Sequence, residues 1–437
     1  MNWLTDRQLE AVNKLAKGRG VVWWKVGEGK TRIALAIWRK LCSKGMKTLL
    51  VVCSPQAFRQ WQDEMHSLGM MKDCYVEFLS YGMLSAGSGY RGLALANKIA
   101  QRTDIGLIVL DELWLYKNPQ SIRSANAEKL TKYHPTIGLS GSLITARNIE
   151  DLYGQCKAVG IGRRLAATLT DFRSQFCFAV EEYGFEYYAK KGSLQVIQSR
   201  LAEVCDIYFP KGDKQSKFQR VTVDASREQE EAFEQLRNEY YYREIEVKNA
   251  AVLITKLSQI SDGFILNSEG LPAFVQSSKL TRTLQLYTEL CDAGQSIVIW
   301  CAFQRSVDLL LNAIGKKATA LSSVHEFDSQ GWKSGKYNVC VATVGSGSSL
   351  NDFADCRYAI IYSCPFSARG LQQALGRTER KSSSHKGCHY YLMQTDGSVD
   401  SYVYESARLT GEIEKSAIRN SVQIIKEYLE KCAQRKH

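Results

Sequence analysis

GVVWWKVGEGKTRIALAIWRKLC (20–42) is the stretch that decides the fold. Its first seven residues are apolar but for Lys25 and read as a strand. KTRIALAIWRKLC (30–42) reads as a helix with Ile33, Leu35, Ile37 and Leu41 largely inward. Outward from it the alternation repeats. KTLLVVCSP (47–55) is a second buried strand and QAFRQWQDEMHSL (56–68) a helix; DIGLIVLDE (104–112) and TIGLSGS (136–142) are further strands. Strand and helix in alternation imply parallel strands joined by right-handed crossovers.

The middle of the chain breaks the pattern. Residues 160–215 mix aromatics with charges and read as an insertion and linker, with PKGDKQSK (210–217) the best linker candidate. SREQEEAFEQLRNEYYYREI (226–245) reads as one long polar helix. The pattern then restarts. SIVIWCA (296–302), KATALSS (317–323), YNVCVATV (337–344), RYAIIYSCP (357–365) and GCHYYLMQT (387–395) are expected strands, with helices at 303–314 and 367–379. Two α/β lobes are therefore expected, residues 1–218 and 219–437, with a basic C-terminal helix at 411–435.

Composition narrows the class. Of 437 residues, 45% are hydrophobic and 23% charged, which is globular and excludes disorder and collagen-like repeats. No apolar run is long enough for a membrane-spanning helix, and MNWLTDRQLE (1–10) carries acids rather than a secretory leader. The net charge of +12 suits a polyanionic partner, although charge spread over a chain this size also serves solubility alone. The 13 cysteines are scattered through apolar runs with no C-x-x-C pair, as expected of reduced thiols in a cytosol-like compartment. HKGCH (385–389) lacks partner ligands at zinc-site spacing.

Three constellations carry chemistry. Gly27, Glu28, Gly29, Lys30 and Thr31 join an expected strand to an expected helix. Such a turn offers a phosphate uncrowded backbone, the N–H groups of a helix start, a cation in Lys30 and a magnesium-binding hydroxyl in Thr31. The full phosphate-loop pattern would place glycine where Trp24 stands, so a tight turn with an exposed lysine is the plain alternative. Asp111 and Glu112 end the strand IGLIVLD; the first fits a magnesium ligand and the second a group that orients and deprotonates water. A solvated strand end is the alternative for that pair taken alone. Arg377 and Arg380 share one helical face in QALGRTER (373–380), where guanidinium groups could stabilise phosphoryl transfer or simply face water.

The ordered set resembles the superfamily 2 helicase core, and within it the Swi/Snf-like translocases of double-stranded DNA. LTDRQ (4–8) is similar to the glutamine motif, VGEGKT (26–31) to motif I and LLVVCSPQAFRQWQDEM (49–65) to motif Ia with its tryptophan helix. LSYGML (79–84) is similar to motif Ib, VLDELWLYKNPQS (109–121) to motif II with its basic-Asn-Pro continuation and LSGSLITARNIEDLYG (139–154) to motif III. LITKLSQISDGF (253–264) and SSKL (277–280) resemble the inter-lobe segment. IVIWCAFQRSVDLLL (297–311), VATVGSGSSLNDF (341–353) and QQALGRTER (372–380) resemble motifs IV, V and VI. The resemblance covers essentially the whole chain.

It implies two tandem RecA-like parallel-sheet lobes with a helical insertion and a C-terminal helix. It also implies ATP and magnesium as cofactors, with Gln8 on adenine and Gln373 and Gly376 beside the nucleotide. Lys30, Asp111, Glu112, Arg377 and Arg380 are then the catalytic set, with Thr31 and Asp111 on the metal. DNA contacts by motif position are Ser54, Gln56, Arg59, Tyr81, Ser140, Arg147, Thr343, Ser346 and Asn351.

The implied function is ATP-dependent translocation on double-stranded DNA by a monomer, remodelling DNA or displacing bound proteins. A strand-separating helicase and a DNA-binding scaffold with a decayed ATPase are the alternatives. So bare a core suits a bacteriophage or bacterial protein, cytoplasmic in a bacterial or infected host cell. Several positions depart from the family pattern: Trp23 and Trp24 before the phosphate loop, Leu113-Trp114 where motif II usually ends Ala-His, Leu143 in place of proline, and Ser346 and Ser349 in place of glycines.

Overall fold

The computed structural model describes residues 3–25, 27–42, 48–70, 75–141, 149–181, 185–208, 216–243, 245–247, 249–346, 352–366, 368–379, 385 and 387–409. The chain divides into two compact units, Met1–Lys211 and Gly212–His437.

In the first unit the strands are β1 (Arg19–Trp24), β2 (Thr48–Cys53), β3 (Tyr75–Ser80), β4 (Ile105–Leu110), β5 (Thr136–Ser140), the hairpin strands β6 (Cys177–Glu181) and β7 (Phe185–Ala189), and β8 (Cys205–Tyr208). Six of them form one sheet in the order β3-β2-β4-β5-β1-β8, with every pairing parallel. The continuous apolar runs follow from burial on both faces. Strand side chains alternate, so Val21 and Trp23 enter the core on one face while Val22 and Trp24 enter the core on the other. Because all six strands run the same way, the segments following β1, β2, β3, β4 and β5 emerge at one edge. That edge is where open α/β sheets bind ligands.

In the second unit the strands are β9 (Lys217–Val223), the short hairpins β10 (Tyr241–Tyr242) with β11 (Ile245–Glu246) and β12 (Phe264–Leu266) with β13 (Pro272–Phe274), then β14 (Ile297–Cys301), β15 (Ala318–Leu321), β16 (Val339–Thr343), β17 (Tyr358–Ile361) and β18 (His389–Thr395). The sheet order is β15-β16-β14-β17-β18-β9, again parallel throughout. Two parallel-sheet α/β lobes are thus present, as the RecA-like expectation requires.

Three expectations need correction. Residues 160–215 are not only insertion and linker, because β8 lies within them and completes the first sheet beside β1. β9 begins at Lys217 and belongs to the second sheet, so the division falls ahead of residue 218. The polar helix runs only over Arg227–Glu239: Tyr240 takes left-handed backbone at φ 54°, and Tyr242 and Ile245 bury as a hairpin instead of continuing the helix. The expected C-terminal helix at 411–435 lies outside the described residues.

Candidate nucleotide site

The turn after β1 needs glycine for two separate reasons. Gly27 and Gly29 have φ of 86° and 84°, where a side chain is strained. A Cβ on Gly29 would also lie 2.3 Å from Gln8 Nε2. Lys30 opens the helix Lys30–Cys42, and its Nζ donates to the carbonyls of Trp24 (3.1 Å) and Lys25 (3.4 Å). The ammonium therefore lies back over the loop beside a helix start, with half-buried Thr31 next in the chain.

Gln8 fastens this loop. It sits at N3 of the helix Asp6–Leu15 in a capping box, accepting from Thr5 N at 3.0 Å, and its Nε2 donates to Glu28 O at 3.0 Å. An amide has two N–H donors and two acceptor lone pairs, and these two bonds use one of each.

Trp24 has a structural explanation. Its Nε1 donates to Asp206 Oδ2 at 2.7 Å, and the same buried carboxylate receives Arg7 at 2.5 Å and Lys14 at 3.5 Å. The Arg7 guanidinium stacks over the Trp24 and Tyr208 rings at 5.0 and 5.3 Å. Trp24 thus ties the first helix and β8 to the strand that carries the loop. Trp23 faces the other way and donates to Gln155 Oε1 at 3.4 Å.

Asp111 and Glu112 follow β4. Asp111 Oδ2 accepts from Trp61 Nε1 at 3.2 Å and Oδ1 from Glu112 N at 2.9 Å, while Tyr81 Oη donates to the Asp111 carbonyl at 3.2 Å. Burial, and then the Glu112 charge, push the Asp111 carboxyl up to about 6 against the opposing pull of Trp61, the Glu112 N–H and Lys30. Burial, with Asp111 beside it, also pushes the Tyr81 hydroxyl up, which keeps it a donor. Glu112 has left-handed backbone (φ 44°, ψ 57°), and its Oε2 accepts from Trp114 Nε1 at 2.9 Å. A non-glycine residue held there is a costly conformation of the kind found at functional sites. The donor set suits a hard cation: Thr31 and Asp111 both offer oxygen, and the carboxylate is oriented by two donors.

The KNPQS turn docks on the helix Ile149–Ala158. Lys117 pairs with Asp151 at 3.8 Å, and Gly154 lies where a Cβ would meet Lys117 O at 2.2 Å. Two sequence motifs far apart in the chain therefore meet in one contact.

The expected DNA contacts scatter in environment. Ser54 precedes the helix Pro55–Ser67 and Arg59 is exposed on it, whereas Tyr81 is half-buried with its hydroxyl on Asp111, and Ser140 is buried beside Trp23 on β1. In the second unit Thr343 Oγ1 donates to Ser346 Oγ at 2.8 Å, closing the turn after β16. Gln373 and Gly376 are half-buried and Arg377 is buried on the helix Ala368–Thr378. The side chain of Gln56, and all of Arg147, Asn351 and Arg380, lie outside the described residues, as do Leu143 and Ser349.

Sequence reasoning missed a buried charge cluster in the second unit. Lys279, from SSKL, is fully buried and pairs with Asp262 at 2.7 Å and Asp400 at 3.0 Å. Ser306 donates to Asp262 at 2.5 Å, and Tyr362 Oη donates to the Asp262 carbonyl at 2.6 Å. Burial opposes the Lys279 charge, yet the two facing carboxylates hold the ammonium above its ordinary range, while burial raises Asp262. It also missed the Trp61, Trp114 and Asp206 contacts; the tryptophan of motif Ia and the departures at Trp24 and Trp114 were the visible signals.

Comparison with known proteins adds the following. Residues 3–91 match the family model described as type III restriction enzyme, res subunit. No curated protein matches the sequence. Among solved structures, the SWI2/SNF2 ATPase core of Sulfolobus solfataricus in complex with dsDNA is similar with a TM-score of 0.40 and 16% identity, over 96% of this chain and 94% of that one. The matched residues include β1, β2 and β3 of the first sheet and the glycine turn after β1.

Proposed function

We propose that the chain is an ATP-driven translocase on double-stranded DNA. The observation that carries this reading is that Lys30 opens the helix after β1 and Asp111 follows β4 of the same parallel sheet, near enough for the Lys30 charge to act on the Asp111 carboxyl. Gln8 recognises the base, and the glycine turn with Lys30 holds the phosphates. Thr31 and Asp111 would hold magnesium, which would neutralise charge on the phosphates.

Glu112 orients a water and accepts its proton as the water oxygen bonds to the γ-phosphorus. The bond to the bridging oxygen breaks, and ADP departs with the electron pair. Arg377 and Arg380 are assigned the charge that builds on the transferring group. Net charge of +12 and the hydroxyl-rich turn at Thr343 and Ser346 suit sequence-independent backbone contact with DNA.

The test is ATP hydrolysis with and without linear duplex DNA, beside Lys30→Ala. Stimulation by duplex that the substitution abolishes supports the reading; no hydrolysis with any nucleic acid sinks it. Displacement of a triplex strand without opening a forked duplex then separates translocation from unwinding.

A further inference from the structure

We infer that Trp114 is a positioning residue for Glu112. The inference rests on the reading of Glu112 as the group that takes the proton from water. The chain reverses sharply after β4. Glu112 adopts left-handed backbone and caps the single turn Leu113–Tyr116, whose first and last residues are fully buried. Leu113 packs so closely on β5 that a Cβ at Gly138 would lie 2.6 Å from its Cδ2. With Leu113 and Tyr116 fixed inward, Trp114 is directed back toward the site, and its indole N–H reaches Glu112 Oε2 at 2.9 Å.

A carboxylate on a residue with unrestrained side-chain torsions samples many orientations, whereas one oxygen bonded to a pinned indole leaves the other with a defined direction. That is what a proton acceptor needs before its water arrives. The bond is made within one short turn, and that turn is held by Leu113 against β5.

The indole also suggests its own control. In tryptophan the five-membered ring carries N–H at the position where histidine carries Nε2, so Trp114→His keeps a donor and Trp114→Phe removes it while keeping an aromatic ring. The experiment measures duplex-stimulated kcat, KM for ATP and binding of a fluorescent ADP analogue for the parent, Trp114→Phe and Trp114→His, with thermal melting of each. Trp114→Phe should lower kcat by about 10- to 100-fold, with analogue binding and melting unchanged. Trp114→His should recover most of that loss.

Parent-level kcat in Trp114→Phe overturns the inference and leaves the reading of Glu112 standing. An equal fall in both variants also overturns it, because the donor would not be the cause. A parent without Lys30-dependent hydrolysis overturns the reading and the inference together.

Discussion

Trp61, on the helix that follows β2, donates its indole N–H to Asp111 Oδ2 across 3.2 Å. A donor on a carboxylate favours the charged form, which is the form that binds magnesium. The bond works against burial and against Glu112, which together leave the Asp111 carboxyl at about 6.

A pH dependence follows. Below about pH 6 Asp111 is protonated in the nucleotide-free protein, so kcat/KM for ATP should fall on an acid limb there. Trp61→Phe removes a stabiliser of the anion and should move the limb to higher pH. Glu112→Gln removes a like charge, so magnesium-dependent binding of a nucleotide analogue should extend to lower pH. Limbs that coincide in all three proteins would mean another group controls the profile.

Legibility in the sequence followed burial. β1, β2 and β4 are covered on both faces, and their unbroken apolar runs announced them. β8 and β9 lie at sheet edges, and their sequences, CDIY and KFQRVTV, carry charges; β8 falls inside the stretch read as insertion and linker, and β9 begins on the last residue of the linker candidate. The site divided similarly. Lys30 and Asp111 were visible because a phosphate loop and a strand-end acid have local spacing. Asp206 was not, because its meaning lies in Trp24, Arg7 and Lys14, all remote in sequence.

Asp206 gives the second prediction. Asp206→Ala leaves the Trp24 N–H unpaired and Arg7 and Lys14 without their carboxylate. Removing one side of a largely buried charge cluster should destabilise the protein by about 3 kcal/mol. The first helix also carries Gln8, so nucleotide affinity should weaken before the unit unfolds. Chemical denaturation combined with analogue titration checks both, and unchanged affinity in a destabilised variant would confine Asp206 to stability.

Lys279 gives the third. Lys279→Met leaves Asp262 and Asp400 facing one another without a cation, a loss of about 3–5 kcal/mol near neutral pH. The sign with pH is defined. Burial already raises Asp262 in the parent, and without the ammonium its folded-state value rises further. The folded variant then binds more protons than the unfolded chain, so its deficit against the parent should shrink as pH falls from 7 toward 5. A deficit constant across that range would show that lost packing, not charge, is responsible.

Gly154 links the site to the helix behind it. A Cβ there would lie 2.2 Å from Lys117 O and 2.7 Å from Tyr116 O, and both obstacles are backbone, so no side chain can swing aside. The segment that must move begins at Tyr116, the buried end of the turn that holds Trp114 and Glu112. Gly154→Ala should therefore cost about 1–3 kcal/mol of stability and lower kcat as well, although Gly154 belongs to none of the residues assigned to ATP. The comparison is Gly162→Ala, where the nearest obstacle is Lys157 Cα at 2.9 Å, outside that turn. Stability should fall there while kcat per folded molecule holds. A kcat loss of equal size in both variants would show general loosening of the unit and not displacement of the turn.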